Sequence, residues 1–489
     1  MSQEEIVDNI ILDFLEEKHP TSKSLILACP DKAKKRTAML SVLDRENQDI
    51  FDDYKKIVEA PNNYKCHEYI IEVTQLLREY IKVADTDIKN YGEVLTPTSL
   101  IDDMLDFLPI EVWSNKDLKW LDPCNGVGTF PAVVVTRLMA GLKDVIPNDC
   151  ERYKHIVNNM IYVCEIQAKN MFLYHCSFDR EDEHKLNTYF GSFLTDEFNE
   201  HMTNVWGVEK FDLIIGNPPY NDNTGNKGVG HSLWDKFVMK SLNILIEGGY
   251  LNFVHPSGWR NVDGGFKKIQ RIMLSKTFIY LSINSPQEGQ RVFGSTTNFD
   301  YYCLLNDNNH NNIKTKIKCI DGTIEEYCLN NLEFIPNGMF DYIFSLIAKD
   351  NEEKVNLLHS ESTYAHRKEY MSAEKNDTFK YPCIWSIKKG GTPTFKYSSI
   401  DKGHFGVKKI IFGNGANPTY MKDEFGEYGM TQFSFGVYGY DLDIIEKSIQ
   451  SNGIKKITEM TKFVSTEGNP ILYPKIISLF RKDFWKEFI

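Results

Sequence analysis

The sequence predicts an α/β fold centred on a doubly wound, mostly parallel sheet. Between residues 91 and 305, short apolar runs typical of buried strands alternate with segments of helical periodicity. Strands that alternate with helices are joined by right-handed crossovers, which make them parallel and gather ligands at their carboxyl ends. The alternation stops near residue 310. We therefore expect a helical segment over 1–90, a central domain over 91–310 and a mixed α+β domain over 311–489.

The hydrophobic pattern also predicts the individual elements. Near the N-terminus, apolar side chains repeat at close to 3.6-residue spacing over 66–84, which indicates an amphipathic helix. After 310 the chain turns to short β-like pieces, glycine-rich turns and aromatic residues. Strands are predicted at 119–121, 161–164, 211–215, 250–254 and 278–283, with helices between them at 130–141 and 233–246.

Composition excludes several classes of protein. A chain with 42% hydrophobic and 13% aromatic residues is globular rather than disordered. No apolar run approaches the ~20 residues of a membrane helix. The N-terminus is acidic, unlike a signal peptide, so we expect a cytoplasmic protein without membrane contact. The ten cysteines include no C-x₂-C pair, and we expect no metal.

Charge is distributed unevenly along the chain. The net charge is −12, but residues 311–489 carry 24 basic and 23 acidic side chains. Within 380–409 there are seven lysines, one acid and several interleaved aromatic residues. Because the local field matters more than total charge, this segment is compatible with nucleic-acid binding. The alternative is a solvated face with ordinary core aromatics.

The most informative motif is Asn217-Pro218-Pro219-Tyr220, at the end of the predicted strand 211–215. Two prolines fix φ and remove two N–H donors, so the turn is stiff and holds its hydrogen-bond acceptors beside a flat ring. This arrangement suits an exocyclic amine on a planar ring. The alternative is a proline-rich turn from strand to loop.

A glycine-containing loop follows the first predicted strand, in the segment 121–130 (LDPCNGVGTF). Gly126 and Gly128 permit close approach of a ligand, and the helix N-terminus that follows favours negative groups. Residue 131 is proline, so the segment is not the dinucleotide fingerprint G-x-G-x-x-G. It also lacks the G-K-[ST] of a phosphate loop.

Together these motifs resemble the S-adenosylmethionine-dependent N6-adenine DNA methyltransferases. The resemblance covers roughly 91–305, and its order matches the class whose target-recognition domain follows the catalytic domain. It implies a Rossmann-like class I methyltransferase domain, S-adenosylmethionine as cofactor and double-stranded DNA as substrate. It further implies a restriction-modification, phage-protection or epigenetic role, with a separate restriction endonuclease as a further partner.

The resemblance also implies roles for individual residues at the cofactor. Glu165 would accept hydrogen bonds from the ribose hydroxyls, and Ile166 and Phe193 would sandwich the adenine. Ser192 departs from the family pattern, which commonly has an acid there. The implied cofactor-binding residues are Thr96, Pro97, Asp122, Gly126, Gly128, Glu165, Ile166, Ser192 and Phe193.

At the target base, the Asn217 side-chain oxygen and the Pro218 carbonyl would accept the two N–H bonds of the adenine amine. Catalysis would then come from positioning and electrostatics, without a metal or a covalent intermediate. Tyr220 and Phe293 would stack on an adenine flipped out of the duplex. The polar, glycine-rich segment 221–230 is expected to be a mobile loop that orders over DNA.

Lysines of the last domain are expected to contact the DNA backbone rather than the bases. The candidates are Lys388, Lys389, Lys408 and Lys409. Two alternatives remain open. One is a methyltransferase that acts on RNA or on a protein glutamine, because the turn suits any planar amide or amino group. The other is a non-catalytic DNA-binding relative.

Overall fold

The computed structural model describes residues 2–19, 21–43, 48–59, 66–80, 96–222, 231–262, 264–307, 313–359, 363–388, 390–413, 419–463 and 473–489. Its helices are α1 (Gln3–Lys18), α2 (Ser22–Leu27), α3 (Lys32–Leu43), α4 (Gln48–Val58), α5 (Cys66–Tyr80), α6 (Thr98–Leu105), α7 (Thr129–Gly141), α8 (Asp149–His155), α9 (Ala168–Phe178), α10 (Asp196–Asn204), α11 (Trp234–Ile244), α12 (Lys267–Leu274), α13 (Pro286–Phe293), α14 (Phe340–Ser345), α15 (Leu442–Gln450), α16 (Asn452–Met460) and α17 (Pro474–Ile477).

The strands are β1 (Trp120–Asp122), β2 (Ile161–Glu165), β3 (Asn187–Phe190), β4 (Phe211–Gly216), β5 (Asn221–Asp222), β6 (His231–Ser232), β7 (Leu245–Pro256), β8 (Thr277–Asn284), β9 (Phe299–Leu305), β10 (Thr315–Lys318), β11 (Ile324–Tyr327), β12 (Asn356–Leu358), β13 (Met371–Ser372), β14 (Tyr381–Ile387), β15 (Pro393–Ser398), β16 (Lys409–Gly413), β17 (Tyr420–Asp423), β18 (Gly429–Met430) and β19 (Ser434–Tyr438).

A nine-stranded sheet forms the centre of the molecule, in the order β11-β10-β8-β9-β7-β4-β1-β2-β3. The strands from β7 through β4, β1 and β2 to β3 are parallel, while β9 runs antiparallel between β7 and β8. Every residue of β1 and β2 is buried, as expected for parallel strands covered on both faces. The predicted doubly wound α/β fold and its five predicted strands are therefore confirmed.

Helices cover both faces of this sheet. One hydrophobic cluster joins β2 to the N-terminal helices and to α7 and α9, through residues that include Leu15, Leu77, Val134, Val163 and Met171. A second cluster joins β1 and β4 to α10, α11 and α12, through residues that include Leu121, Phe198, Ile214, Phe237 and Met273. The N-terminal helices thus complete one face of the sheet and share its core.

The predicted boundary at 310 is wrong for the sheet. β10 pairs in parallel with β8, and β11 continues the sheet as an antiparallel neighbour of β10. Ile317, Leu329 and Ile335 belong to the same hydrophobic cluster as β1 and β4. The alternation of strands and helices ends before these strands, so the pattern gave no sign that the sheet continues.

The rest of the chain forms two four-stranded sheets with the orders β12-β19-β16-β17 and β13-β15-β14-β18. Helices α15, α16 and α17 pack on the first of these through a cluster that includes Ile410, Phe435, Ile445, Ile457 and Ile477. This mixture confirms the α+β character predicted for the C-terminal part. No helix among the described residues is long and apolar enough to cross a membrane.

A buried polar chain ties the central sheet to the C-terminal part. Arg260, which follows β7, lies 2.8 Å from Asp300 of β9, and both side chains are fully buried. The Arg260 guanidinium also donates to the Asn337 side-chain oxygen at 2.8 Å. The Asn337 amide donates in turn to the carbonyls of Glu459 and Lys462 at 2.8 and 2.7 Å. Asn337 thus links the buried Arg260–Asp300 pair to helix α16 and the residues that follow it.

Candidate active site

The polar residues predicted to form the site meet at one edge of the central sheet. Asp122 ends β1 and Glu165 ends β2, while Asn217 directly follows β4. Ser192 lies two residues beyond the end of β3. Because these strands are parallel neighbours, their carboxyl ends share an edge, which is where doubly wound sheets bind ligands.

The loop after β1 is shaped by its glycines. Gly126 (φ +56°) and Gly128 (φ +95°) adopt the left-handed conformation that favours glycine. A Cβ on Gly128 would lie 2.7 Å from the Tyr174 ring, whereas a Cβ on Gly126 would meet no atom within 4 Å. The space beside Gly126 is therefore open to a ligand, and helix α7 begins immediately after the loop.

Asp122 and Asn125 each turn a buried oxygen toward this loop without a protein partner. Asp122 Oδ1 accepts the Cys124 N–H at 3.1 Å, and the side chain is 2% exposed. Among the described residues, neither Asp122 Oδ2 nor Asn125 Oδ1 has a hydrogen-bond partner. Burial raises the pKa of Asp122 to about 7. A donor or a cation from a ligand would satisfy these oxygens. The sequence motif pointed to Asp122 but not to Asn125.

Glu165 holds the glycine loop in place. Its two carboxylate oxygens accept the N–H groups of Gly126 and Gln167, each at 2.7 Å. The neighbouring Ile166 is half exposed and can cover a planar group. The prediction for Phe193 is wrong in this structure. Its ring is 1% exposed and packs against Phe198 and Phe237, which are also buried, so it offers no face to a ligand.

Asn217 is oriented by a residue far away in the sequence. Its side-chain amide donates to Thr96 Oγ1 at 3.1 Å, which turns the Asn217 carbonyl oxygen away from Thr96. Thr96 is held in turn by Arg78 of α5, whose guanidinium donates to the Thr96 carbonyl at 3.1 Å. Pro97 precedes helix α6 directly. Arg78 was missed because nothing in a helical pattern marks an arginine that reaches a distant loop.

Close contact between strand ends completes the turn. A Cβ on Gly216 would lie 3.0 Å from Asp122 Oδ1 and 3.2 Å from Cys124 Sγ, so glycine lets β4 end against the β1 loop. On the other side, the Tyr220 carbonyl accepts the N–H of Leu233 at 3.1 Å, next to the start of α11. The Tyr220 hydroxyl is buried, and burial raises its pKa.

Phe293 lies at the same edge of the sheet as the turn. It ends α13, which follows β8, and its ring packs edge-on against Phe299 at the start of β9 with centroids 4.9 Å apart. Phe299 pairs with Pro256, the last residue of β7, and so marks the carboxyl end of that strand. Of the loop predicted at 221–230, residues 221–222 form β5, and residues 223–230 lie outside the described residues, as do residues 81–95 before Thr96.

The four lysines predicted to contact DNA do not form one group. Lys388 and Lys408 are exposed, and Lys389 lies outside the described residues. The prediction for Lys409 is wrong. Its ammonium is fully buried, 2.6 Å from the Asp423 carboxylate, and also donates to the carbonyls of His404 and Val407 at 3.0 Å each. It cannot reach a phosphate from this position.

One carboxylate cluster has metal-like spacing, formed by Glu4, Asp179 and Asp182. Lys32 lies 3.0 Å from Glu4 and 2.7 Å from Asp182, so an ammonium already neutralises this cluster. It lies with the N-terminal helices rather than at the strand ends that carry Asp122 and Asn217.

The sheet order and the parallel strands that end at this edge define the central part of the chain as a doubly wound α/β fold. Residues 133–293 match the family model described as Eco57I restriction-modification methylase. This match covers the turn at residues 217–220, and it confirms the resemblance to DNA adenine methyltransferases over that segment.

Two curated relatives are each similar to a part of the chain. An uncharacterized adenine-specific methylase of Mycoplasma pneumoniae is 29% identical over 242 residues, covering 35% of this chain and 57% of the relative. The type II restriction enzyme and methyltransferase RM.Eco57I of Escherichia coli is 29% identical over 153 residues, covering 26% of this chain and 15% of the relative. The chain thus covers less than two thirds of either relative.

Among solved structures, that of the Type IIL restriction-modification enzyme MmeI in complex with DNA aligns with 93% of this chain and 71% of its own, at a TM-score of 0.43 and 10% identity.

Proposed function

We propose that this protein is a site-specific DNA methyltransferase that transfers a methyl group from S-adenosylmethionine to N6 of adenine in duplex DNA. The observation that carries this proposal is the Asn217 turn. This turn lies at the same sheet edge as the glycine loop. The Asn217 side-chain NH₂ group donates to Thr96 Oγ1, so the Asn217 side-chain oxygen points away from Thr96. The similarity of residues 133–293 to adenine-specific methylases supports the same target.

The residues at the glycine loop fit S-adenosylmethionine. Its positively charged amino group would satisfy the buried, unpartnered oxygens of Asp122 and Asn125, and would favour the ionised form of Asp122. The open space at Gly126 admits a ligand close to the backbone. Glu165 stands at the end of β2 for the ribose hydroxyls, and Ile166 offers an apolar face for the adenine ring. When bound, the cofactor supplies an electrophilic methyl group.

The catalytic turn would prepare the target nitrogen. The lone pair of the adenine amine is delocalised into the ring, so the amine is a poor nucleophile. The Asn217 side-chain oxygen and the Pro218 carbonyl would accept its two N–H bonds and draw the nitrogen toward tetrahedral geometry. Thr96 keeps Asn217 in this orientation, and Pro219 stiffens the turn. Preorganised acceptors of this kind act without rearrangement during the reaction.

The target base has to leave the duplex to reach this edge, at a cost of about a few kcal/mol. Tyr220 would stack on the flipped adenine. The hydrogen bond from the Leu233 N–H to the Tyr220 carbonyl fixes the backbone that carries this ring. Phe293, at the same edge, is the second stacking candidate. Because Phe193 is buried in the core, Ile166 is left as the apolar contact for the cofactor ring.

DNA binding is assigned to the C-terminal part, where the exposed Lys388 and Lys408, together with Lys389, are the proposed contacts to the phosphate backbone. We place the protein in a restriction-modification, phage-protection or epigenetic role in the cytoplasm, with a separate restriction endonuclease as a partner in the first of these. The similarity to restriction-modification methylases supports that setting.

The test is tritium transfer from labelled S-adenosylmethionine to unmethylated genomic DNA, with the product nucleosides identified by mass spectrometry. We expect N6-methyladenine from the wild type. Asn217→Ala should lower the rate by about 10²–10³-fold, because one preorganised polar contact to the reacting group is lost. Cofactor binding, measured by calorimetry, should persist.

The matched control is Asn204→Ala, an exposed asparagine at the end of α10, which should retain full activity. Transfer to RNA or to a protein glutamine instead of DNA would replace the proposed substrate. A wild type that binds the cofactor and DNA but methylates none of these substrates would identify the protein as a non-catalytic relative.

A further inference from the structure

A group of aromatic and polar side chains that is partly open to solvent lies on and beside the sheet β13-β15-β14-β18, outside the proposed active site. It consists of His366, Trp385, Lys396, Gln432 and Phe433, and is called the aromatic patch below. The Trp385 ring stands edge-on to Phe433 and to His366, with centroids 4.7 and 5.2 Å apart. Phe433 is 41% exposed and His366 is also exposed. Clustered aromatic rings open to solvent usually mark a contact surface.

The aromatic patch is fixed in place by hydrogen bonds. Thr431 is bonded to the Ile384 carbonyl of β14 through both its N–H and its hydroxyl, at 3.2 and 2.8 Å. The Gln432 side chain then holds His366 at two points. Its oxygen accepts the His366 N–H at 3.2 Å, and its amide donates to His366 Nδ1. Rings held this way lose little entropy on binding.

Most of the charged side chains near the aromatic patch in the sequence are basic. The Lys396 ammonium lies over the Trp385 ring, 5.1 Å from its centroid. Arg367 and Lys368 follow His366 directly, next to the exposed acid Glu369, and the exposed Lys388 follows the end of β14. Arg367, Lys368 and Lys388 form no ion pair within the described part of the chain. By contrast, Lys422 in the neighbouring sheet is paired with Asp443 and Glu424.

Duplex DNA is the ligand that matches this combination, because its grooves present base edges and apolar thymine methyl groups beside regularly spaced negative charges, and aromatic side chains can also insert between its base steps. We propose that the aromatic patch contacts bases of the DNA through Phe433, Trp385 and His366, with Lys396 on an adjacent phosphate, and thereby takes part in choosing the methylated sequence. This inference rests on the proposed function. It adds a base-contacting surface to the phosphate contacts of Lys388 and Lys408, which carry no sequence information.

Fluorescence anisotropy with labelled duplex fragments of unmethylated genomic DNA tests the proposal. Phe433→Ala and His366→Ala should weaken binding by about 5- to 100-fold without changing its salt dependence, since a contact to a base neutralises no phosphate and releases no counterion. Lys396→Ala should lower the slope of log affinity against log salt by about 1. If the wild type methylates DNA, sequencing for N6-methyladenine should show that Phe433→Ala methylates a different set of sites from the wild type.

Matched controls come from α1. Phe14 is 39% exposed and Lys18 lies 4.6 Å from its ring centroid, so Phe14→Ala and Lys18→Ala copy the exposure and the cation–ring contact at a distant surface. Both should bind DNA like the wild type. If the variants of the aromatic patch also bind and methylate like the wild type, the proposal is overturned while the proposed function stands.

The binding measurement does not require methyl transfer, so the two proposals can fail separately. Wild-type binding that Phe433→Ala weakens, in the absence of any N6-methyladenine, would support the aromatic patch and overturn the methyltransferase. A wild type that does not bind duplex DNA would overturn both.

Discussion

At the scale of single residues, the buried Asp122 carboxyl makes stability depend on pH. Burial raises its pKa to about 7, whereas an unfolded chain releases this proton near pH ~3.9. Between about pH 4 and about pH 7 the native state therefore holds more protons, and the free energy of unfolding falls as pH rises. Asp122→Asn cannot ionise and should remove this fall. Urea denaturation should therefore show that the free energy of unfolding of the variant increases relative to that of the wild type as pH rises.

The control for this comparison is Asp117→Asn, which changes an exposed carboxylate shortly before β1. Its unfolding free energy should follow the wild-type pH dependence. A difference between wild type and Asp122→Asn that stays constant from about pH 4 to about pH 7 would contradict the prediction.

At the scale of elements, the hairpin of β16 and β17 depends on a buried ion pair. Lys409 lies opposite Asp423 in its register, with both side chains out of solvent. Lys409→Ala leaves the Asp423 carboxylate without its cation and should lower the free energy of unfolding by about 3–5 kcal/mol. Lys408→Ala, at an exposed position, should stay within about 0.5 kcal/mol and should lower the salt dependence of DNA binding. Equal melting temperatures for the two variants would refute this assignment.

At the scale of the whole molecule, the pair Arg260–Asp300 joins the central sheet to the C-terminal part through Asn337. Asp300→Asn keeps the shape but leaves the buried guanidinium without a counter-charge, at a cost of about 3–5 kcal/mol. Both parts should lose stability together, as shown by hydrogen exchange in α16 as well as in β7. Asp350→Asn, at an exposed position, is the control. Faster exchange in β7 alone would show that the two parts are not coupled.

Sequence pattern predicted the position of the site better than the orientation of its side chains. Asp122, Glu165 and Asn217 each follow a short apolar run, and parallel strands bring such ends to one edge. Lys409 stands beside the exposed Lys408 in a lysine-rich segment, and only the opposite strand reveals that its ammonium turns inward. Phe193 shows the same limit, because an aromatic residue after a strand fits a core as well as a ligand.

Long-range additions to the fold escaped the pattern for a related reason. β9 and β11 enter the sheet antiparallel to their neighbours, and β10 pairs in parallel with β8 although β9 separates the two in the sequence. Arg78 and Gln3 act on residues remote from them in the sequence, and a single sequence gives no sign of such contacts.

The bond made by Gln3 has a consequence for how the protein can be trimmed. β3 is the last strand on its side of the sheet, and its terminal N–H, from Phe190, donates to the Gln3 side chain of α1 at 2.8 Å. An outermost strand with unused backbone groups is a template on which other chains can add. The first helix therefore protects this edge strand from pairing with another copy of the protein. A fragment that begins after α1 would expose the edge of β3 and should aggregate, although it would keep every residue proposed to take part in the reaction.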